Sequence, residues 1–324
     1  MPIFDQGYQH WQGTLSSHAW RWLTVTRHGV RVQLKNRWTR IIMLFAWVPA
    51  AGLVAALALW GLAERNADIL QAITRLFGLP PQSARAPQSF RVIFWTYAYR
   101  VFFDIEVRFS MLLVLLIGPN LISQDLRFNA LPLYFSRPLR RSDYFLGKLG
   151  VIVFCLGAVM VVPAVVAYVF GLAFSLDLSV LKDTFHLLPA AIAYGVLVAV
   201  VCGTVMLGLS SLSRNSRYVA FSWVILWFVS SLLSAALVES IRDEWCHLIS
   251  FTGNLERVGD ALLDVESARQ EFNKLTMVER GQPRYYRQTF PEPPWTWSAA
   301  VLLGLMGLSL WILASRVKSL DRLK

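Results

Sequence analysis

The amino-acid sequence predicts an all-α polytopic membrane protein with six transmembrane helices, N-in/C-in, preceded by an interfacial amphipathic helix. Of the 324 residues, 56% are hydrophobic and 16% are charged, whereas soluble domains carry about 25% charged residues. The apolar residues cluster into long uncharged runs, close to the roughly 20 residues that a helix needs to cross the hydrocarbon core. The 13 Trp and 20 Phe residues are typical of chains that anchor aromatic rings at membrane interfaces.

Residues 18–38 precede the first apolar run and predict the interfacial helix. An apolar stripe recurs through them at helical spacing, and basic side chains lie beside this stripe, where they can reach lipid phosphates. Val25 and Val32 fall on the opposite face, so a basic flank without fixed structure is the alternative interpretation. The residues assigned to the interfacial helix are Trp20, Leu23, Arg27, Val30, Arg31, Leu34 and Lys35.

Six apolar runs predict the transmembrane helices. They cover residues 41–62, a run that is certain over 109–122 and begins earlier, 149–176, 187–212, 218–238 and 296–315. The N-terminal extension of the second span contains Arg100, Asp104 and Arg108 at i, i+4 and i+8, which predicts ion pairs on one helical face at the outer end. Charges within a membrane mark ion or substrate pathways, but a salt-bridged helix end is the simpler interpretation of this outer-end charge cluster.

Basic residues are distributed unevenly between the two sides of the predicted helices. The first 40 residues, the 123–148 loop, the link after the fourth span and the C-terminal tail together hold 17 basic and four acidic residues. Residues 239–294 hold seven basic and ten acidic ones. Because cytoplasmic segments collect Lys and Arg, both termini are predicted to be cytoplasmic. The net charge of +11 is then mostly explained by basic residues on the cytoplasmic side, without a nucleic-acid partner.

The predicted organisation has four parts. Residues 1–40 form the cytoplasmic N-terminus with the interfacial helix, 41–238 hold helices 1–5, 239–295 form an extracytoplasmic segment, and 296–324 hold the sixth helix and a cytoplasmic tail. Within the outer segment, residues 254–278 have the periodicity of one amphipathic helix. A cap packed over the outer ends of the spans and a dedicated ligand-binding domain both fit a segment of this length.

The cytoplasmic loop 123–148 is predicted to carry a binding surface. A short helix is expected from Ser123 or Gln124 to Leu131, followed by prolines that end it. Four apolar residues are then exposed to the cytoplasm, which indicates a protein partner, unless the loop folds back onto the lipid surface. These residues are Leu131, Leu133, Tyr134 and Phe135.

The sequence contains none of the short motifs that would give the chain a reaction of its own. It has no HExxH, GxSxG or CxxC segment, and no phosphate-binding GxxxxGK[ST] segment. We therefore predict that the chain is not an enzyme and holds no metal or cofactor. Because the predicted spans are nearly free of charge, ion coupling near the membrane centre is not expected, and an external energy source is the better hypothesis.

The stretch from Asp125 to Lys148 resembles the first cytoplasmic loop of ABC-2 type transporter permeases. The resemblance rests on Ala130-Leu131-Pro132-Leu133-Tyr134, Ser136-Arg137-Pro138-Leu139 and Asp143-Tyr144-Phe145-Leu146-Gly147-Lys148. The tail from Arg316 to Leu323 looks like the end of such chains. The layout of six spans with both ends inside is similar to that family over the whole chain.

This resemblance implies the membrane subunit of a bacterial ATP-driven exporter in the cell inner membrane. Two copies of a separate ABC ATPase subunit would bind ATP and Mg, and a second copy of this permease or a related one would complete the transporter within membrane lipid. The substrate would be lipid-like, a peptide or drug-like. The short helix would be the coupling helix that docks on the ATPase, and the interfacial helix would be the family's connecting helix. The docking residues so implied are Gln124, Asp125, Leu126, Arg127, Leu131, Leu133, Tyr134, Phe135 and Arg137.

One segment departs from the family pattern. In the family, short re-entrant outer helices lie between spans 5 and 6, whereas residues 239–295 are far longer, which leaves room for an added outer domain or lid. The alternative function is therefore an ABC-coupled mechanotransmitter or assembly subunit. Such a subunit would act on a periplasmic protein through this segment and move no small molecule itself.

Overall fold

The computed structural model describes residues 20–64, 87–131, 139–175, 178–277 and 293–321, together with residues 66, 68, 71 and 134. These residues form helices and connecting turns, and no β-strand occurs among them. The helices are α1 (Arg21–Lys35), α2 (Arg37–Phe45), α3 (Trp47–Ala63), α4 (Pro87–Ile117), α5 (Pro119–Arg127), α6 (Arg141–Ser175), α7 (Leu178–Thr184), α8 (Leu187–Leu212), α9 (Ser216–Val224), α10 (Ser230–Ile241), α11 (Phe251–Leu262), α12 (Val265–Met277) and α13 (Trp295–Asp321). A π-helix (Ile225–Val229) joins α9 to α10, and a 3₁₀ helix (Glu244–Ile249) precedes α11.

Five helical stretches among the described residues are long and apolar enough to cross a membrane. They are Arg37–Ala63, Arg141–Ser175, Ser179–Leu212, Ser216–Ile241 and Trp295–Arg316. The second predicted span is present as α4, a helix about 46 Å long, but the charged residues in it keep it out of this set. The protein is therefore all-helical in its described part, with five candidate spans. The count of six, with both termini inside, stays a prediction.

Helix α4 packs in the bundle between α3 and α6 despite its charges. Its Phe94 ring stacks on Trp60 of α3 with the ring centroids 4.4 Å apart. The Tyr99 hydroxyl donates a hydrogen bond to the carbonyl of Ala164 in α6 (2.9 Å), and Tyr99 is fully buried. Aromatic packing thus holds within the bundle the charged N-terminal part of this helix, which precedes its apolar run.

The N-terminal helix α1 packs across the beginning of α6. Thr26 donates a hydrogen bond to the carbonyl of Gly147 (3.0 Å). A Cβ at Gly147 would overlap Val25, and one at Gly150 would overlap Thr26, so the two glycines permit the close crossing. The residues of α1 that become buried here are Thr26 and Val30.

This crossing covers one residue of the apolar stripe that the sequence assigned to the membrane surface. Val30 of that stripe is buried, whereas Leu23 and Leu34 are 44% and 37% exposed. Val25, which falls on the opposite face in the sequence, lies against α6 at Gly147. The helix is present, and its contact with the membrane stays a prediction. The remaining residues of the predicted set are all exposed: Trp20, Arg27, Arg31 and Lys35.

After α10 the chain turns back into the bundle before it reaches α13. Arg242 adopts a left-handed conformation (φ 59°) at the end of α10, and the 3₁₀ helix follows. Ser250 caps the start of α11 with its side chain, and the Phe251 N–H donates a hydrogen bond to Ser230 Oγ (3.2 Å). Ser230 lies about 21 Å along its span from Ser216, out of about 38 Å. Helix α11 therefore begins near the middle of the bundle's depth, and residues 242–262 form a re-entrant segment.

Residues 254–278 are not the single amphipathic helix that their periodicity predicts. Asp264 adopts φ 55° and separates α11 from α12, because a left-handed residue cannot continue a right-handed helix. In α12, Phe272 packs edge-on against Phe90 of α4 with the centroids 6.4 Å apart. The described part of the outer segment therefore packs against the bundle, and residues 278–292 lie outside the description.

Candidate functional site

The short helix α5 lies at the predicted inner end of the bundle. Pro119 is its first residue, where a missing N–H costs no hydrogen bond. Gly118 precedes it, and a Cβ at this glycine would overlap a side chain of α8. The helix is capped at Phe128, and Asn129 then turns the chain with φ 49°. The helix predicted to end at Leu131 therefore starts and ends about four residues earlier than the sequence indicated.

Hydrogen bonds join α5 to the adjacent ends of α8 and α9. Ser210 of α8 accepts hydrogen bonds from the N–H groups of Ile122 and Ser123 (3.2 and 3.1 Å) and donates one to the Pro119 carbonyl (3.0 Å). The hydroxyls of Ser123 and Ser216, at the start of α9, lie 2.7 Å apart. Ser123 and Ser210 are fully buried. A buried and satisfied polar network of this kind fixes α5 relative to both helices.

Asp125 attaches α5 to a third helix, α6. Its Oδ2 lies 2.7 Å from Lys148 Nζ and accepts a hydrogen bond from the Tyr144 hydroxyl (2.5 Å). The Asp125 and Lys148 side chains are only 15% and 13% exposed. The predicted start at Ser123 or Gln124 would put Asp125 in the first turn of the helix, which is wrong, because α5 starts at Pro119 and holds Asp125 in its last turn. There it serves as the partner of α6.

The opposite face of α5 is open to solvent. Gln124, Arg127 and Phe128 are exposed, with Phe128 at 72%, whereas Leu126 packs against the core. The expectation that Leu131 is exposed is wrong, since it is 5% exposed. The left-handed turn after α5 redirects the chain, so that Leu131 is buried and Phe128 is the exposed apolar residue.

Tyr134 is half-buried and packs on the aromatic ring that anchors Asp125. Its ring centroid lies 5.3 Å from that of Tyr144, so the expectation of free exposure is wrong here too. Burial raises the pKa of the Tyr134 phenol above its ordinary value, and the nearby Asp125 carboxylate raises that pKa further. Three residues of the predicted docking set lie outside the described part of the chain: Leu133, Phe135 and Arg137.

The outer-end charge cluster is larger than its predicted members. Arg108 lies 3.8 Å from the Asp104 carboxylate and donates a hydrogen bond to the Asp104 carbonyl (2.8 Å). Arg100 instead forms a bidentate pair with Asp260 of α11 (2.8 and 3.0 Å), and Arg108 also lies 3.9 Å from Glu256. The added carboxylates come from the re-entrant segment, which helical spacing within α4 could not reveal.

A second ion cluster, around Arg91, was missed from the sequence. Arg91 is 2% exposed, and its Nε and Nη2 donate to the two carboxylate oxygens of Glu64 (2.8 Å each). Its Nη1 donates to Ser179 Oγ (2.9 Å) and Asp183 (3.0 Å), and Trp60 donates to Glu64 (2.9 Å). The cluster joins α3, α4 and α7. The sequence signal for this cluster was an isolated arginine in an apolar stretch. Its partners lie 27 and 92 residues away along the chain, so spacing could not identify them.

The described residues do not bring potential metal ligands together. Among them, no group of three or more His, Cys, Asp or Glu residues is placed to hold a metal ion. Cys155 and Cys202 are buried as free thiols inside the apolar helices α6 and α8. The described side chains thus leave one face of α5 exposed and form ion pairs at the predicted outer end.

Comparison with known proteins identifies the family. The sequence model described as ABC-2 family transporter protein matches residues 23–244, from α1 to the start of the 3₁₀ helix. No curated protein sequence matches the chain. Because the match spans more than half of the chain, the chain belongs to the ABC-2 transporter family, whose members are membrane transport subunits and generally have no catalytic activity.

Proposed function

We propose that this chain is the permease subunit of an ATP-driven ABC exporter, in which two copies of a separate ATPase subunit dock on α5. The ATPase subunits would bind ATP and Mg, and a second copy of this chain or a related permease would complete the transporter. Following the distribution of basic residues, we place both termini and α5 at the cytoplasmic face of the inner membrane. The exported substrate would be lipid-like, a peptide or drug-like.

The geometry of α5 is the observation that supports this proposal most. One face of the helix is bonded to the bundle through Ser210, Ser216 and Lys148. The other face presents Phe128, which is 72% exposed. A large exposed aromatic ring on a firmly held helix is typical of a protein-binding surface, where aromatic side chains contribute much of the affinity. Membership of the ABC-2 family supports the same partner.

Docking on α5 would act on three spans together. Asp125 of α5 pairs with Lys148 of α6. Ser123 of α5 is hydrogen-bonded to Ser210 of α8 and lies against Ser216 of α9. Closing of the ATPase subunits around ATP would displace α5, and these short, mostly buried contacts would carry the displacement into the spans. The permease would then do mechanical work on its substrate path and perform no reaction itself.

The alternative is a mechanotransmitter or assembly subunit that acts on a periplasmic protein. Its basis in the sequence is the length of residues 239–295. In the part that the structure describes, α11 packs against α13 and α12 packs against α4, which leaves less free surface than a projecting domain would offer. We therefore favour the exporter.

A charge placed at Phe128 tests the docking surface. Phe128→Asp leaves the bonds between α5 and the bundle intact but puts a carboxylate into the apolar contact. We expect affinity-purified chain to lose the ATPase subunit, and the eluate to lose ATPase activity. Phe185→Asp is the matched control, because Phe185 is 62% exposed at the other end of the bundle. If folded Phe128→Asp retains as much ATPase as Phe185→Asp, α5 is not the docking helix.

A further inference from the structure

Glu106 is a buried carboxyl group in α4 that the function proposed above does not use. Its side chain is 0% exposed, and neither of its carboxyl oxygens has a hydrogen-bond partner among the described residues. Ser110, one turn further along the same face, is equally buried, and its hydroxyl has no partner in that part of the chain either. Glu106 lies about 17 Å from the inner end of α4, near the middle of a hydrocarbon core about 30 Å thick. An ionisable group at this depth indicates a functional site.

The face of α4 that contains Glu106 packs against helices without charge. Phe103, three residues earlier on this face, contacts Tyr194 of α8 with the ring centroids 5.0 Å apart. Tyr99, one turn before Phe103, is hydrogen-bonded to α6. Helix α8 has no charged residue, and α6 has none after Lys148. The titratable side chains buried on these two helices are ordinarily neutral at about pH 7: Tyr144, Cys155, Tyr168, Tyr194 and Cys202.

The charged side chains near Glu106 along α4 lie on the opposite side of the helix. At about 100° per residue, Asp104 and Arg108 are both turned away from Glu106, and they pair with each other and with Glu256 of α11. Helix α3 carries no charged residue, and both arginines of α2 are exposed. An ionised Glu106 would therefore face no counter-ion.

A carboxylate in these surroundings would be a buried charge without compensation. Glu106 has no access to solvent, so its ionised form carries the full cost of removal from water. A carboxyl group in such a place takes up a proton and becomes neutral instead. The resulting acid has one donor, which a hydroxyl such as that of Ser110 can accept.

A contact between two aromatic rings separates Glu106 from a charged cleft. The cleft has a volume of about 10 Å³, close to the space that one water molecule needs. Its lining includes Arg100, Asp104, Glu256 and Asp260. Phe103 and Tyr194 also line it, and Phe103 lies one turn from Glu106 on the same face. Gly259 of α11 lies flat against Tyr194, since a Cβ there would come within 2.5 Å of the ring. Movement of α11 away from α4 would therefore free Tyr194 and connect the cleft with Glu106.

We propose that Glu106 is a proton-binding site of this chain, closed from solvent by the Phe103–Tyr194 contact and opened when α11 moves away from α4. On opening, the proton passes from the carboxylic acid to water in the cleft and leaves a carboxylate. It returns by the same path before the contact closes. A proton is thus a further species that the chain binds, and the site does not depend on docking of an ATPase on α5.

Infrared spectroscopy of the full chain detects the bound proton through the C=O band of a carboxylic acid, in detergent micelles free of ester groups. An ordinary glutamate is ionised at about pH 7. Glu106→Gln is expected to remove the intensity of one acid from this band at that pH. Glu64→Gln is the matched control, because Glu64 is 10% exposed but paired with Arg91 at 2.8 Å, so the band should stay. A band that Glu106→Gln leaves unchanged overturns the proposal.

The exchange of the acid proton for deuterium tests the closing contact. After transfer to D₂O, the acid band shifts at the rate at which solvent reaches Glu106. Phe103→Ala is expected to speed this shift about tenfold, the upper effect of losing one aromatic pair. Tyr194→Leu, which keeps most of the buried volume, should act in the same direction. Val101→Ala, at a 58% exposed site on α4, should leave the rate unchanged.

The exchange rates also decide against the proposal where they do not differ. If the folded variants of Phe103 and Tyr194 exchange as slowly as Val101→Ala, the aromatic contact does not close the site. Both measurements use the chain without an ATPase, and ATPase co-purification is scored separately. The proton site and the exporter can therefore fail independently.

Discussion

Replacing Arg91 with methionine is expected to destabilise the predicted outer end of the bundle by about 3–5 kcal/mol. The guanidinium is 2% exposed, and its main partner, Glu64, is 10% exposed. Methionine fills a similar volume, so the cost comes mainly from a buried Glu64 carboxylate without its counter-ion. Trp60 still donates one hydrogen bond to that carboxylate (2.9 Å), which offsets part of the loss. Asp183 contributes less, because it is 42% exposed and water can solvate it.

The free energy of unfolding can be measured by SDS titration of the purified chain in mixed micelles. Adding Glu64→Gln to Arg91→Met removes the orphaned charge and should recover most of the lost stability. Arg269→Met is the control, because Arg269 is 44% exposed and pairs with Glu266 at 3.8 Å. Its expected cost is within about 1 kcal/mol. If Arg91→Met costs no more than this control, or if the double variant is no more stable than Arg91→Met alone, the buried charge pair does not stabilise this end.

Two further predictions concern α5. Gly118→Ala is expected to cost about 1–3 kcal/mol, because its Cβ would overlap a side chain of α8. Gly157→Ala, where a Cβ meets nothing within 4 Å, should be neutral or stabilising in the same titration, and equal stabilities would contradict the close contact. Lys148→Met breaks the link from α5 to α6, so the ATPase should still co-purify, while spin labels at Leu146 should report a smaller ATP-dependent displacement. An undiminished displacement would show that the Asp125–Lys148 pair does not transmit motion.

Long apolar runs allowed the sequence to predict most helices closely. Helix α8 covers residues 187–212, the limits of the apolar run itself, and α13 begins one residue before its predicted start. Interruptions within apolar stretches were not predicted, namely the break at Ala46 and the π-helix Ile225–Val229. Composition is uniform across these positions, so only packing against neighbouring helices determines where the helical geometry changes.

The candidate site was predicted as a region but not as a set of contacts. The loop that contains Asp125 and Lys148 was singled out, yet their pairing depends on how α5 lies beside α6, which the spacing of two residues in a loop does not determine. The prediction of which side chains are exposed failed for a similar reason. The left-handed Asn129 decides that Phe128 is exposed and Leu131 is buried, and a sequence pattern does not fix the conformation of a single residue. The sequence did not predict the re-entrant segment, because its polar residues are typical of an outer loop.

Helix α4 connects the buried Arg91 cluster to the proposed docking surface. It contains Arg91 and Arg100, and the chain passes directly from its end through Gly118 into α5. The two arginines hold α4 with different strength. The pair of Arg100 with Asp260 is 45% and 33% exposed, so breaking it costs about 0–1 kcal/mol, whereas the buried Arg91 cluster costs several times more. A pull on α4 from α5 would therefore separate α4 from α11 at Arg100 first and leave the end of α4 fixed at Arg91. That separation opens the cavity between α4, α10 and the re-entrant segment, whose wall includes Arg100 and Asp260.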